Sequence, residues 1–382
     1  MRTPRGLTLA LAVLSHALHA QEPAAGARAA KRWFKGNTHT HTLNTDGDSS
    51  PIDVARFYRD QGYNFLVLSD HDSLTSVEAL NGLFGTSEGL ATDRAEVPFH
   101  PFLLIPGEEV TASFSPKDAQ APGLRGRDMA RKEIHLTALN VRRVIARQQG
   151  TSPADTLQKN VDAIRAGAAV PIVNHPNFVW SLTADDIKGL RNAPLLEVFN
   201  GHMQTNNLGG GGAPSVEEIW DAVLSAGTLI YGVASDDAHF FKGPPLATAM
   251  SAPGRGWVMV RSDRFTAEAI VAALEHGDFY SSTGVELSDL SISDRAVTLK
   301  IAARSRSRYR VLFIGSGGRV LKDVAVTPAF PNPADGGPLN PQAEPVSYEW
   351  KGDEGYVRAK VIESNGLLAW TQPVRVPASS AR

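Results

Sequence analysis

Between residues 33 and 236 the chain alternates two textures. Short apolar runs that close on polar residues occur at 33–38, 63–70, 102–111, 134–140, 168–175, 195–200 and 229–236. Runs of this length, bounded by polar and turn residues, read as buried strands. Between most of them lie stretches with apolar residues at three- and four-residue spacing, 51–61, 153–166, 214–226 and, further on, 266–275, which is the pattern of a helix with one buried face. Pro51, Pro153 and Pro214 stand where a first helical turn tolerates proline, because the missing N–H has no helical partner there. Such alternation predicts an α/β fold built on a parallel sheet, closed or open. The texture changes near Gly284. Segments 297–303, 309–314, 356–362 and 371–376 alternate apolar and polar residues with no helical stretch between them, and predict a small C-terminal antiparallel β-sandwich. The proline-rich segment 327–345 predicts a surface loop. The expected division is therefore an α/β domain over 33–284 and a β-sandwich domain over 285–382.

A chain of 382 residues has room for that division. Its net charge of −2 points to neither nucleic acid nor an anionic membrane, and a small-molecule substrate is the expected partner. The absence of cysteine excludes disulfides, thiolate metal sites and cysteine nucleophiles. Residues 1–20 place Arg2 and Arg5 ahead of an apolar stretch and end on small residues, the order of a secretory signal peptide. A polar linker follows over 21–32, and no later segment is apolar for long enough to span a bilayer. The expectation is an exported protein, and the Ala- and Arg-rich composition suggests a bacterial periplasm.

The polar residues that close the strand-like runs are unusual. Of the nine histidines outside the signal segment, six fall there: His39, His41, His71, His135, His175 and His239. Carboxylates accompany them: Asp46, Asp70, Asp72, Glu109, Asp236 and Asp237. In a closed α/β barrel the C-terminal strand ends converge on one face, so residues far apart in sequence would meet. A bend at the strand end is expected to let both His39 and His41 reach one ion. Imidazole with carboxylate suits zinc, manganese or iron, and a carboxylate bridging two ions would turn a shared water into a hydroxide near neutral pH. The set is too large for one ion.

The motifs "THTH" with "DG" soon after, "FLVLSDHD", "GEEVT", "EIHLTALN", "NHPN" and "SDDAH", in that order, resemble the PHP (polymerase and histidinol phosphatase) family of metal-dependent hydrolases. The later "GWVMV" and "AIVAALEHGDFYSSTG" resemble its CehA/McbA-like branch, whose members also carry C-terminal β domains. The resemblance covers about residues 34–284. It implies a distorted (β/α)7 barrel of the PHP type with a trinuclear site. His39, His41, Glu109 and Asp237 would hold one ion, Glu109 would bridge to a second held by His135 and His175, and Asp46, His71 and His239 would hold a third. The family spacing selects Glu109 over Glu108 and Asp237 over Asp236. Asp46 stands where some members have histidine, which favours a harder ion such as manganese.

Around that set, Asp70 is expected to orient His71 or a neighbouring ligand, and Asp72 and Asn174 are either supporting groups or merely solvated. His202, after the run at 195–200, is a candidate general acid or substrate hydrogen-bonding group, or an exposed loop histidine. The glycine tract after it is a lid or a connector. Arg125, Arg127, Arg131 and Lys132 form a basic loop that either meets a phosphate or stays solvated. Clustered divalent ions suit phosphomonoester or phosphodiester hydrolysis best, with carbamate, ester or amide hydrolysis the alternative. A non-catalytic metal- or carbohydrate-binding protein is a third reading, against which the complete ligand set stands. An amidohydrolase-type barrel also opens with H-x-H, but would use a modified lysine and a lone final aspartate. The β domain would bind a polymer or cover one end of the barrel, and the structural role is preferred.

Overall fold

A computed structural model describes residues 31–84, 102–115, 131–242, 251–329 and 343–377. The signal segment, Arg125, Arg127 and most of the proline-rich loop lie outside these residues. All seven strand-like runs of the first half are strands: β1 (Arg32–Asn37), β2 (Phe65–Leu68), β3 (Leu103–Phe114), β4 (Lys132–Leu139), β5 (Val170–Val173), β6 (Leu195–Asn200) and β7 (Tyr231–Ser235). Every residue of β2 and β5 is buried, as continuous apolar strands covered on both faces should be.

The helices begin where local chemistry says they should. In α1 (Pro51–Asp60), Ser50 caps the Asp53 N–H and Pro51 occupies the first turn. The short α2 (Glu78–Phe84) packs on β3. In α3 (Pro153–Ala166), Ser152 plays the capping part. After α4 (Ala184–Ile187) comes α5 (Val216–Ser225), which starts two residues later than its proline suggested. There Ser215 and Glu218 form a reciprocal capping box, and Pro214 precedes the cap rather than opening the helix. In α6 (Ala267–Glu275) the cap is Thr266.

Two features correct the sequence expectation. First, the sheet is mixed. The pairs β1–β2, β2–β3, β5–β6 and β6–β7 are parallel, but β4 runs antiparallel to both β3 and β5. Adjacent antiparallel strands need no helical crossover between them. Second, among the described residues the ladder does not close. It runs from β7 back to β1, then on through β8 (Trp257–Ser262) and β9 (Phe279–Ser282). Between the two ends of the seven-strand segment there is one isolated bridge, Thr40 with Ala238, supported by hydrogen bonds from His41 N to Ala238 O (3.0 Å) and from Asp237 N to His39 O (3.0 Å). Further down, side chains cover the free edge of β7. The Gln372 amide accepts from Gly232 N (2.7 Å) and donates to Gly232 O (2.9 Å), much as a neighbouring strand would. Ser281 Oγ accepts from Ala234 N (3.0 Å).

The remaining strands are β10 (Leu287–Ile292), β11 (Ala296–Ile301), β12 (Tyr309–Gly315), β13 (Arg319–Val326), β14 (Val346–Glu349), β15 (Tyr356–Glu363), β16 (Leu368–Thr371) and β17 (Val374–Arg375). They do not form a separate sheet pair. The arm β16–β15–β12–β13 continues the main sheet through antiparallel pairing of β16 with β9, while β10–β11–β14 make a second sheet of three strands. Residues of both, including Leu299, Val311, Phe313 and Val361, share one buried cluster. None of the helices in the described residues is long and apolar enough to cross a membrane.

Candidate metal centre

The backbone at the strand ends brings the candidate ligands together. His39 and His41 follow β1 two residues apart, and residues at that spacing on extended backbone share a face. The bend expected from the sequence is therefore not what unites them, and their Nε2 atoms lie 3.2 Å apart. His175 after β5 and Asp237 after β7 both adopt left-handed backbone, with φ of 23° and 49°, a conformation uncommon outside glycine and frequent at functional sites. His71 extends β2 through a bridge to Glu109 on β3. His135 arrives by a route the sequence reading did not foresee. Because β4 is antiparallel, its N-terminal half faces the same mouth, and His135 stands opposite Thr111 in register.

Glu109 sits at the middle of this set, buried, with imidazole nitrogens on both oxygens. Its Oε1 lies 3.3 Å from His39 Nε2, 3.2 Å from His135 Nδ1 and 3.2 Å from His175 Nε2. Its Oε2 lies 2.9 Å from His71 Nδ1 and 3.4 Å from His41 Nε2. Asp237 Oδ1 lies 3.1 Å from His41 Nε2 and 3.4 Å from His39 Nε2. Asp46, half-exposed, contacts His41 Nδ1 (3.4 Å), His71 Nε2 (3.3 Å) and His239 Nε2 (3.3 Å).

Three groups have ligand atoms spaced to hold an ion: His41, Asp46, His71 and His239; His39, Glu109 and His175; and His39, His41 and Asp237. The partition differs from that implied by resemblance. His41 joins the Asp46 group, His39 is shared by the other two, and His135 touches Glu109 without completing any of the three. Two buried imidazole nitrogens, His41 Nδ1 and His135 Nε2, make no well-aligned hydrogen bond, with Asp46 3.4 Å and Glu133 3.7 Å away. Orphaned donors of this kind, in an all-histidine and carboxylate set, fit divalent cations.

The electrostatics agree. Burial raises the pKa of Glu109, but His39, His71 and His135 outweigh it and hold the carboxylate well below its usual range. Asp237 is depressed in the same way by His39 and His41. Burial lowers the imidazoles, yet Glu109 and Asp46 push His71 up to about 10, and Glu109 with Glu133 pushes His135 up to about 9. Burial prevails at His41, which falls to about 4. Without cations, protons thus supply the positive charge that the carboxylates demand.

The supporting groups differ partly from expectation. Asn174 donates to Glu109 Oε1 (2.8 Å) and accepts from Thr137 N (3.1 Å), so it fixes the central carboxylate. Asp72 accepts from Thr111 N (3.0 Å) and ties the β2 end to β3. Asp70 does not touch the histidines in its hydrogen bonds. It binds Thr42 N (2.8 Å), Thr45 Oγ1 (2.8 Å) and Thr75 Oγ1 (2.9 Å), and so anchors the loop between His41 and Asp46. Asp236 accepts from Tyr58 and from the backbone of Gly254, Arg255 and Gly256, on a different side from Asp237. Glu108 accepts from Ile145 N (2.8 Å).

Glu197, which the sequence reading missed, is buried on β6 and takes His39 Nδ1 (2.8 Å), His175 N (2.9 Å), Asn200 Nδ2 (2.9 Å) and Ser235 Oγ. It leaves the Nε2 lone pair of His39 free to face the cluster. Its signal was a single acid inside the apolar run "LLEVFN".

Above the cluster is a cleft of about 150 Å³ lined by Asp46, His71, His175, Phe178, His202 and His239 among others. His202 Nδ1 accepts from Gln204 N (3.2 Å), which puts the neutral ring's proton on Nε2. Its ring centroid lies 5.8 Å from that of His239. Of the basic loop, Arg131 pairs with Glu133 (3.0 Å) and Lys132 donates to Trp180 O (3.0 Å).

No protein-family model matches the chain. No curated protein matches it either. Among solved structures it is similar to a two-domain protein containing a predicted PHP-like metal-dependent phosphoesterase from Bacteroides vulgatus ATCC 8482, at 16% identity and a TM-score of 0.45, over 90% of this chain and 96% of that one. It is also similar to an amidohydrolase from Chromobacterium violaceum with bound sulfate and no metal, at 12% identity and a TM-score of 0.32, over 54% of this chain and 88% of that one. At these values the likeness carries no functional argument, and function must be argued from the site.

Proposed function

We propose that this chain is an exported metal-dependent phosphoesterase of the PHP type, acting on phosphomonoesters or phosphodiesters at a di- or trinuclear site. The observation that carries the reading is the Glu109 carboxylate, buried among five imidazoles and flanked by Asp46 and Asp237. An apolar core or a structural ion pair has no use for such a concentration of titratable groups. His39, His41, Asp46, His71, Glu109, His135, His175, Asp237 and His239 would hold the ions. Bound divalent cations would supply Lewis acidity and charge neutralisation for water activation and leaving-group departure.

The chain's own residues do the rest. Glu197 and Asn174 lock His39 and Glu109 in place. Asn200 links Glu197 (2.9 Å) to Asp237 (3.2 Å) and accepts from His202 N (2.9 Å), so the candidate ligand set and His202 belong to one hydrogen-bond network. The Nε2–H of neutral His202 would donate a hydrogen bond to a substrate oxygen in the cleft, the substrate-binding role rather than that of a general acid. The mixed seven-strand segment, bridged at Thr40 and Ala238, corresponds in this reading to a distorted barrel open along one seam.

The test is turnover of p-nitrophenyl phosphate, bis-p-nitrophenyl phosphate and a naphthyl carbamate by protein loaded with manganese or zinc, beside His175→Ala. Phosphate ester turnover that disappears in the variant is the expected result. Turnover of the carbamate alone would move the reaction to carbamate, ester or amide hydrolysis, and silence on all three would remove the phosphoesterase reading.

A further inference from the structure

The cleft is lined mainly by imidazoles and carboxylates, half-exposed Asp46 among them, and Phe178 gives it one apolar wall. Large apolar side chains exposed on a protein surface are ordinarily scattered. Here several of them crowd the loops that follow the ligand-bearing strands. Leu43, 58% exposed, comes two residues after His41, and Phe240, 38% exposed, comes directly after His239 with its ring 6.4 Å from that imidazole. Val179, 47% exposed, adjoins Phe178, and Met203, 64% exposed, lies between the cleft residues His202 and Gln204.

Phe178 joins this rim to the floor. Its ring packs 5.2 Å from His175 and 6.2 Å from His202, edge-on to both. The turn that presents it is held in place. Val179 and Trp180 have positive φ of 46° and 60°. Asn177 donates to Asn206 O (3.1 Å) and Pro214 O (2.8 Å), and Asn206 returns a hydrogen bond to Asn177 O (3.2 Å). The loops after β5 and β6 are therefore clamped together, and the turn holds Phe178 in the lining of the cleft. Segments 39–45, 174–183 and 200–215 contain no Lys, Arg, Asp or Glu, and the charges next to the four apolar residues in sequence are Asp46, which lines the cleft, and Lys242, two residues after Phe240.

We propose that the substrate's non-reacting group is neutral and apolar, an alkyl or aryl substituent seated against Phe178 with Met203, Val179 and Phe240 around it. A sugar, nucleotide or second phosphate would find no charged partner on these three loops and would leave their apolar side chains unused. The proposal rests on the hydrolase reading for what happens at the metal-ligand cluster, but the apolar subsite is measurable without turnover.

The experiment is calorimetric binding of methyl-, butyl- and hexylphosphonate to the metal-loaded protein, with a carboxyalkylphosphonate of hexyl length as the charged comparison. Burying methylenes against the rim should make hexylphosphonate at least about tenfold tighter than methylphosphonate. The charged analogue should fall back to the methyl level. Phe178→Ala and Met203→Ser should flatten the series, and Val320→Ser, a change at an exposed residue of β13, should leave it as it is. Equal affinity along the series, tighter binding of the charged analogue, or no phosphonate binding by protein that holds its metal would each overturn the proposal. A chain-length trend without turnover of any ester would sink the hydrolase reading and leave the apolar subsite standing.

Discussion

Glu197 shows how one side chain governs a site from behind. Its carboxylate takes the Nδ1 proton of His39, so the lone pair on Nε2 faces Glu109 and Asp237. In Glu197→Gln the amide N–H₂ can turn to His39 Nδ1, which would move the ring proton to Nε2 and aim it into the cluster. Metal affinity should fall roughly 10–100-fold with little change in fold, as titration against a competing chelator would report. Loss of metal affinity well below that range would contradict the assignment. The raised imidazoles give a pH prediction at the same scale. His71 and His135, up at about 10 and about 9, bind protons more tightly in the folded protein than in the unfolded chain. The metal-free protein should therefore be most stable below about pH 6.5 in this respect and lose that stability as pH rises through 9–10. Metal should remove the slope by replacing the protons. Melting curves of chelated and loaded protein at pH 6.5 and 9.5 test this, and a chelated protein equally stable at both would be the contrary result.

At the scale of elements, the sequence showed where strands begin and end better than how they pair. Seven runs became seven strands because buried strands are continuous apolar segments, a property legible one residue at a time. Orientation is not local. β4 carries the same texture as its neighbours, so nothing in "EIHLTALN" marks it as antiparallel, yet that reversal brings His135 to the mouth from a strand's beginning rather than its end. That these histidines meet was legible for a related reason, since histidines crowding the ends of apolar runs need a common destination. Glu197 was hidden inside a strand, and Asp70, expected to orient His71 or a neighbouring ligand, bonds Thr42 and Thr45 in the loop between His41 and Asp46 and not His71. The uncovered edge of β7 also escaped the sequence, because its partner is the side chain of Gln372, far along the chain. Gln372→Ala would leave the buried Gly232 N–H unmatched, while its C=O keeps the Ser281 hydroxyl at 2.7 Å, at a cost of about 1–3 kcal/mol. A denaturation midpoint unchanged in this variant would show that the edge is held by other contacts.

At the scale of the molecule, most of the C-terminal strands are part of the sheet that carries the histidine and carboxylate cluster. Beyond the β9–β16 pairing, Arg358 on β15 forks onto Asp221 of α5 at 2.8 and 2.7 Å and stacks over Trp220, 4.6 Å from the ring centroid. All three residues are buried. Breaking that pair with Asp221→Ala should cost about 3 kcal/mol, because the buried guanidinium then keeps only Glu217, 3.5 Å from its Nη2. Truncation after Gly284 should give protein that fails to fold or precipitates, as it removes Gln372 and Arg358 together. A soluble, cooperatively melting 31–284 fragment would show that the arm is an appendage. The proposal that the cluster around Glu109 holds two or three divalent ions is tested most directly by counting them. Elemental analysis after loading and gel filtration should find at least about two equivalents of manganese or zinc per chain in the wild type and about one or none in Glu109→Gln. One equivalent or fewer in the wild type, or an unchanged count in Glu109→Gln, would contradict the account.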